Sequence, residues 1–183
     1  MTARRPEVAS GRRVARVVFT EADIARRVAE LGEEIGGHYR DGELLVLGIL
    51  KSSFIFVADL VRKIPRPHEI DFLIAASYGD ASTSSGKVEL LYDGETALEG
   101  KHVLLVEDIV DSGNTLNRIG RLLRKRNPKT VEACTLLHKH VAAELELVPR
   151  FVGFDAPPEF LVGYGLDYAE DFRHLPYIAS IED

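Results

Sequence analysis

Residues 103–116 read VLLVEDIVDSGNTL. An apolar strand there delivers two adjacent carboxylates, Glu107 and Asp108, into a loop. Asp111 follows, and Ser112-Gly113-Asn114-Thr115 opens a helix. Small hydroxyl residues and a glycine let backbone N–H groups close around an anion, with the positive end of the helix dipole assisting. Carboxylates beside such a cradle repel its ligand unless they hold the ligand's hydroxyls or a Mg²⁺ ion. Phosphate in the loop and hydroxyls on the acids together describe a sugar phosphate. The competing reading is a capped helix after a solvated turn.

Other candidates follow further apolar runs. Lys51-Ser52-Ser53 comes directly after Leu44–Leu50, where a lysine and backbone amides suit a pyrophosphate. The alternative is a surface lysine ahead of a helix cap. Lys139 follows Val131–Leu137, which puts its ammonium at the ligand edge. A fixed donor there recognises an exocyclic oxygen and rejects an amino group. Pattern alone places Phe160 in the core and Arg173 in a surface ion pair. The segment Ser77–Lys87 reads on its own as a polar hairpin loop. Its Gly86-Lys87 is not a nucleotide P-loop, because the spacing from Gly79 is wrong, Val88 replaces the needed hydroxyl and a strand follows. His138 and His140 flank Lys139 on one strand face but lack further ligands for a transition metal. Cys134, the single cysteine, reads as a buried inert thiol.

The elements that position these groups alternate. Val14–Phe19 reads as a strand, and Thr20 with Asp23 as a helix start of the capping-box kind. Ile24, Val28, Leu31 and Ile35 share one helical face. Leu44–Leu50 has the unbroken apolar character of a strand buried on both faces. Phe54–Ile64 reads as a helix halted by Pro65 and Pro67. Strands follow at Ile70–Ala76, Val88–Tyr92 (with Asp93-Gly94 as a turn), His102–Val106 and Val131–Leu137, with a helix through Leu116, Ile119, Leu122 and Leu123. Phe151–Phe154 and Leu161–Leu166 add short pieces. Alternating strands and helices imply an α/β fold, and ligands bind such sheets at the carboxyl ends of the strands.

The 183 residues suit one domain. No apolar run reaches the ~18–20 residues of a membrane span, and the start has arginines but no apolar core of a secretory signal. With one cysteine there is no internal disulfide, so a cytoplasmic setting is expected. The 29 acidic and 23 basic side chains give a net charge of −6, against a general nucleic-acid binder. A small anionic substrate stays open, because a local cradle outweighs global charge.

The segment Val103–Leu116 resembles the phosphoribosyl diphosphate signature of type I phosphoribosyltransferases. The flanking residues are similar to the hypoxanthine-guanine members of that family, and the likeness runs from about Leu44 to the C-terminus. It implies Mg²⁺-dependent transfer of phosphoribosyl from the diphosphate sugar to a 6-oxopurine, hypoxanthine or guanine, giving IMP or GMP and pyrophosphate. By that resemblance Glu107 and Asp108 serve the ribose hydroxyls and the metal. Ile109, Val110, Ser112, Gly113, Asn114 and Thr115 surround the ribose and 5′-phosphate. Asp111 is the acid-base residue facing purine N7. Lys51, Ser52 and Arg173 meet pyrophosphate. Lys139 reads the 6-oxo group, Phe160 stacks on the base, Leu161 meets it through the backbone, and Asp167 serves the base side or a second metal. Ser77 and Tyr78 begin a mobile loop that closes over the reacting centre to exclude water.

The family loop usually reads Leu-Lys-Gly-Ser, so Ser52 stands where glycine is expected. The bulk and restricted dihedrals of serine are expected to weaken pyrophosphate handling. The implied architecture is a mainly parallel twisted sheet flanked by helices. A small hood is built from the N-terminal segment and roughly residues 150–183 of a 14–183 domain, after a flexible tail at 1–13. A homodimer or homotetramer is implied as well. Two rival readings remain: preference for another 6-oxopurine such as xanthine, and a regulator that keeps the fold as a nucleotide sensor.

Overall fold

In the computed structural model, residues 11–78, 87–92, 95–140 and 145–182 are described. The elements run β1 (Val14–Phe19), α1 (Glu21–His38), β2 (Leu44–Leu50), α2 (Phe54–Val61), β3 (Glu69–Tyr78), β4 (Lys87–Tyr92), β5 (His102–Val110), α3 (Asn114–Arg124), β6 (Thr130–His138), β7 (Phe151–Asp155), β8 (Leu161–Val162) and β9 (Ile178–Ile181). One sheet has the spatial order β4-β3-β2-β5-β6-β7. All its strands are parallel except β4, which lies antiparallel at an edge. A second, antiparallel sheet has the order β1-β9-β8. The chain thus adopts the expected α/β class, a mainly parallel sheet flanked by helices.

Helix α1 begins at a reciprocal cap. The Thr20 hydroxyl accepts from the Asp23 N–H at 3.2 Å, and the Asp23 carboxylate accepts from the Thr20 N–H at 3.3 Å. Ile24, Val28, Leu31 and Ile35 then form a buried stripe. With Phe56, Val57 and Leu60 of α2 they cover one face of the large sheet, over Val46, Leu104 and Val106. Leu116, Ile119 and Leu123 of α3 cover the other face, over Leu45, Leu47, Val103 and Leu105. Successive residues of β2 and β5 therefore feed opposite layers, which is why both strands are apolar without alternation. Each such side chain contributes on the order of 1.5–3 kcal/mol by leaving water.

The structure corrects several boundaries. β5 does not end at Val106, because Glu107, Ile109 and Val110 continue pairing with Thr135, Leu137 and His138 of β6. The acidic pair therefore sits on a strand and not in a loop. β3 takes in Ser77 and Tyr78, and β4 takes in Lys87, so the expected hairpin loop is shorter at both ends. Residues 79–86, and the turn expected at Asp93-Gly94, lie outside the described residues. α2 stops at Val61, ahead of the prolines.

The segment expected to complete the hood divides between the two sheets. β7 pairs with β6, whereas β8 and β9 join β1. β9 itself went unread in the sequence, its four residues being too few to show a pattern. Arg12 and Arg13, placed in the tail, continue the β1–β9 contact. The Arg12 guanidinium donates to the Glu182 carbonyl at 2.8 Å, and the Glu182 N–H donates to the Arg13 carbonyl at 2.9 Å.

Candidate active site

The carboxyl ends of β5 and β6 meet the start of α3 and the chain around β8 at a cleft of about 350 Å³. Its walls are Ser52, Glu107, Asp108, Ile109, Asp111, Thr115, Lys139, Phe160, Leu161, Leu166 and Asp167. All but Leu166 were candidates from the sequence. Register explains the gathering. Val110 pairs with His138, so the residues just beyond them, Asp111 and Lys139, emerge side by side. The Lys139 N–H also donates to the Val110 carbonyl at 2.9 Å. Lys139 Nζ then lies 3.6 Å from Asp111 Oδ2, with the lysine side chain 12% exposed and the aspartate side chain 59% exposed. Val110 is itself 1% exposed and packs in the α3 layer, so its side chain cannot meet a ligand. Its part is to hold Lys139.

Glu107 and Asp108 are both buried. Burial pushes the Asp108 carboxyl up to about 6. Hydrogen bonds from backbone N–H groups and the Ser52 hydroxyl, with the charge of Arg173, work in the opposite direction. Burial, and then the charge of Asp108, raise Glu107 well above the usual carboxylate range. Two desolvated acids of this kind call for donated hydroxyls or a cation. No three His, Cys, Asp or Glu side chains among the described residues form a metal cage. Mg²⁺ takes only one or two carboxylates from a protein and keeps most of its water and phosphate ligands.

α3 begins without a side-chain cap, from Gly113 at φ +74°. A left-handed residue there is why glycine is needed. The first-turn N–H groups of a helix lack intrahelical partners, so Ser112, Gly113, Asn114 and Thr115 form an anion-ready turn beside the acids.

On the other flank the Leu50–Lys51 peptide is cis. Lys51 Nζ lies 3.2 Å from Glu170 Oε1. Arg173 is not a simple surface ion pair. It donates to the Gly165 carbonyl at 2.8 Å, and its Nη2 lies 2.9 Å from Asp167 Oδ1 and 3.3 Å from Glu170 Oε2. Lys51 and Arg173 stand beside the cleft and not in its wall. The Ser52 carbonyl sits against Gly165, whose φ of +102° and lack of room both exclude a side chain. Ser52 is absent from the non-glycine residues with positive φ, so serine meets no dihedral obstacle here.

Phe160 is 53% exposed, with its ring edge-on to Tyr168 at 5.6 Å, and so is not core. Leu161 is buried in β8. Leu166 was missed because Leu161–Leu166 reads as one strand. The chain instead turns through Gly163, Tyr164 and Gly165, all at positive φ, and brings Leu166 back to the cleft. The Gly163-Tyr164-Gly165 spacing was the available signal. The rings of His138 and His140 lie 4.3 Å apart, tilted by 58°, and His140 bonds Asp155 at 2.7 Å. Cys134 is buried, and burial pushes its thiol above the usual range. For Ser77 and Tyr78 only the backbone pairing, with Val88 and Lys87, is described.

A model of the phosphoribosyl transferase domain matches residues 18–169. The chain belongs to the phosphoribosyltransferase family. Within it, the chain is 46% identical over 167 residues to the hypoxanthine phosphoribosyltransferase of Salmonella typhimurium, covering 90% of this chain and 94% of that one. It is 45% identical over 171 residues to the hypoxanthine-guanine phosphoribosyltransferase of Dictyostelium discoideum, covering 91% and 95%. Among solved structures, a Staphylococcus aureus hypoxanthine phosphoribosyltransferase superposes with a TM-score of 0.88 at 38% identity over 92% of each chain. A Bacillus anthracis hypoxanthine-guanine phosphoribosyltransferase gives 0.87 at 41%, covering 92% of this chain and 99% of that one. The likeness to family members therefore extends over the whole sheet and is not confined to one motif.

Proposed function

We propose that this phosphoribosyltransferase is a purine-salvage enzyme that joins hypoxanthine or guanine to the phosphoribosyl group of phosphoribosyl diphosphate. The products are IMP or GMP and pyrophosphate. The observation that carries this reading is the Lys139–Asp111 pair, 3.6 Å apart in the same cleft as the acidic pair. O6 and N7 are neighbouring atoms on one edge of a 6-oxopurine. An ammonium beside a carboxylate matches an oxygen that accepts and a nitrogen that gives up a proton.

In this reading the 5′-phosphate takes the turn Ser112–Thr115 and the α3 N-terminus. The ribose hydroxyls donate to Glu107 and Asp108. Phe160 offers a ring face to the base, beside Leu161 and Leu166. Purine N9 forms its bond to the anomeric carbon as the carbon–oxygen bond to pyrophosphate breaks, and the electron pair leaves with pyrophosphate. Asp111 takes the N7 proton. Lys139 donates to O6 and so favours oxo over amino purines. Lys51, Ser52 and Arg173 receive the pyrophosphate. Holding both substrates together supplies the proximity. Glu107 and Asp108 are the residues that would hold Mg²⁺, with Asp167 serving the base side or a second ion, and the metal when bound would neutralise charge on the pyrophosphate leaving group.

The described residues contain no helix long and apolar enough to cross a membrane. The net charge of −6 argues against nucleic acid as a partner, and buried Cys134 suits a reducing cytoplasm. Exposed Phe54 on α2 and exposed Ile70 and Ile74 on β3 support assembly into a homodimer or homotetramer, which light scattering measures. The function is tested by following purine nucleotide formation from phosphoribosyl diphosphate with hypoxanthine, guanine, xanthine and adenine, with and without a chelator. Turnover of hypoxanthine or guanine that the chelator abolishes supports the reading. Turnover of adenine alone, or nucleotide binding without turnover, overturns it.

A further inference from the structure

The two cations assigned to pyrophosphate already share a carboxylate of their own chain. Glu170 places Oε1 3.2 Å from Lys51 Nζ and Oε2 3.3 Å from Arg173 Nη2. Its backbone position is built. Ala169, Glu170 and Phe172 have φ of +51°, +65° and +71°, a region that non-glycine residues enter only when their surroundings impose it. Those surroundings are in place. The Glu170 N–H donates to Asp167 Oδ2 at 2.9 Å, Tyr168 and Asp171 exchange backbone hydrogen bonds at 3.2 and 3.0 Å, and the Phe172 side chain is fully buried.

The contacts that Glu170 makes are, in contrast, easy to exchange. Its side chain is 66% exposed and that of Lys51 is 69% exposed, so water screens the pair and a ligand of higher charge displaces it. A carboxylate fixed at this place spans the same two cations as a phosphoryl oxygen would.

We propose that Glu170 is an internal occupant of the pyrophosphate subsite. It pairs with Lys51 and shares Arg173 with Asp167 in the free enzyme, yields both cations to the pyrophosphoryl group and competes for them again as pyrophosphate leaves. It is a positioning residue and touches no reacting atom. The proposal rests on the reading of Lys51 and Arg173 as pyrophosphate-binding residues. Removing the competing charge should therefore tighten pyrophosphate binding, a gain that loss of a structural contact does not produce.

The test is calorimetric binding of inorganic pyrophosphate with Mg²⁺ to the full-length protein, together with product inhibition by pyrophosphate. Glu170→Gln keeps a hydrogen-bonding side chain and removes the charge, and Glu170→Ala removes both. The expected result is roughly 3–10-fold tighter pyrophosphate binding in each, with a matching fall in the inhibition constant, as loss of one nearby negative charge predicts. Unchanged or weaker binding in Glu170→Gln at an unchanged Tm overturns the proposal. Lys51→Ala, measured in parallel, separates the two layers of the argument. If Lys51→Ala weakens pyrophosphate binding while Glu170→Gln does not tighten it, only this proposal fails. If Lys51→Ala has no effect, the underlying assignment of the subsite fails too.

Discussion

Asp111 and Lys139 owe their pairing to strand register: each follows a residue of the Val110–His138 pair, so a donor and an acceptor emerge together. Lys139→Ala removes a charge-assisted hydrogen bond worth roughly 1.5–3 kcal/mol. The expected outcome is a fall of roughly 10–150-fold in kcat/KM for hypoxanthine. Steady-state kinetics check it, and equal values in variant and parent contradict the assignment. Ser52 carries a second residue-scale prediction. Its hydroxyl is one of the influences that lower the buried Asp108 carboxyl. Ser52→Gly should therefore weaken phosphoribosyl diphosphate binding by roughly 0.5–1.5 kcal/mol, not improve it. Calorimetry decides the sign, and tighter binding in Ser52→Gly would show that serine bulk is the larger effect. Asp111, Lys139 and the acidic pair were legible because polar residues at the end of apolar runs announce themselves. Leu166 and Glu170 were not, since their places depend on positive-φ turns that no hydrophobic pattern encodes.

At the scale of elements, the extension of β5 to Val110 matters most. Pairing with β6 carries Glu107 and Asp108 into the sheet, where burial raises both carboxyls. An acid whose folded-state value is raised binds its proton more tightly in the folded protein. Its stabilising contribution is complete below the unfolded value near 4.5 and is lost as pH rises through the raised folded value. The ligand-free, metal-free protein is thus penalised at alkaline pH by Glu107. Glu107→Gln should raise Tm by a few degrees at pH 8 and change it little at pH 4, read by scanning calorimetry in the presence of chelator. An equal shift at both pH values would contradict the burial account. The strand cores of β2, β5 and β6 could be read from their apolar runs. The true end of β5 could not, because ionisable residues normally mark loops and only partner pairing kept these two in the strand.

The whole molecule joins two sheets with different duties. The large sheet supplies the acids, the α3 turn and Lys139, while the chain around β8 supplies Phe160, Leu161 and Leu166 to the same cleft. The parallel sheet followed from alternating elements. The small sheet depended on pairing β1 with β9 across almost the entire chain, which local pattern does not reveal. Asp111 stands where both halves face one cavity, and the account requires it to act on the base and not to hold the sugar. Asn is nearly isosteric and keeps the loop while removing proton acceptance. The decisive measurement is turnover of Asp111→Asn paired with its phosphoribosyl diphosphate affinity, by calorimetry with Mg²⁺. The expected result is a fall of about 10²–10⁴ in turnover with a much smaller change in affinity. Near-normal turnover, or a collapse of affinity in parallel with turnover, would contradict it.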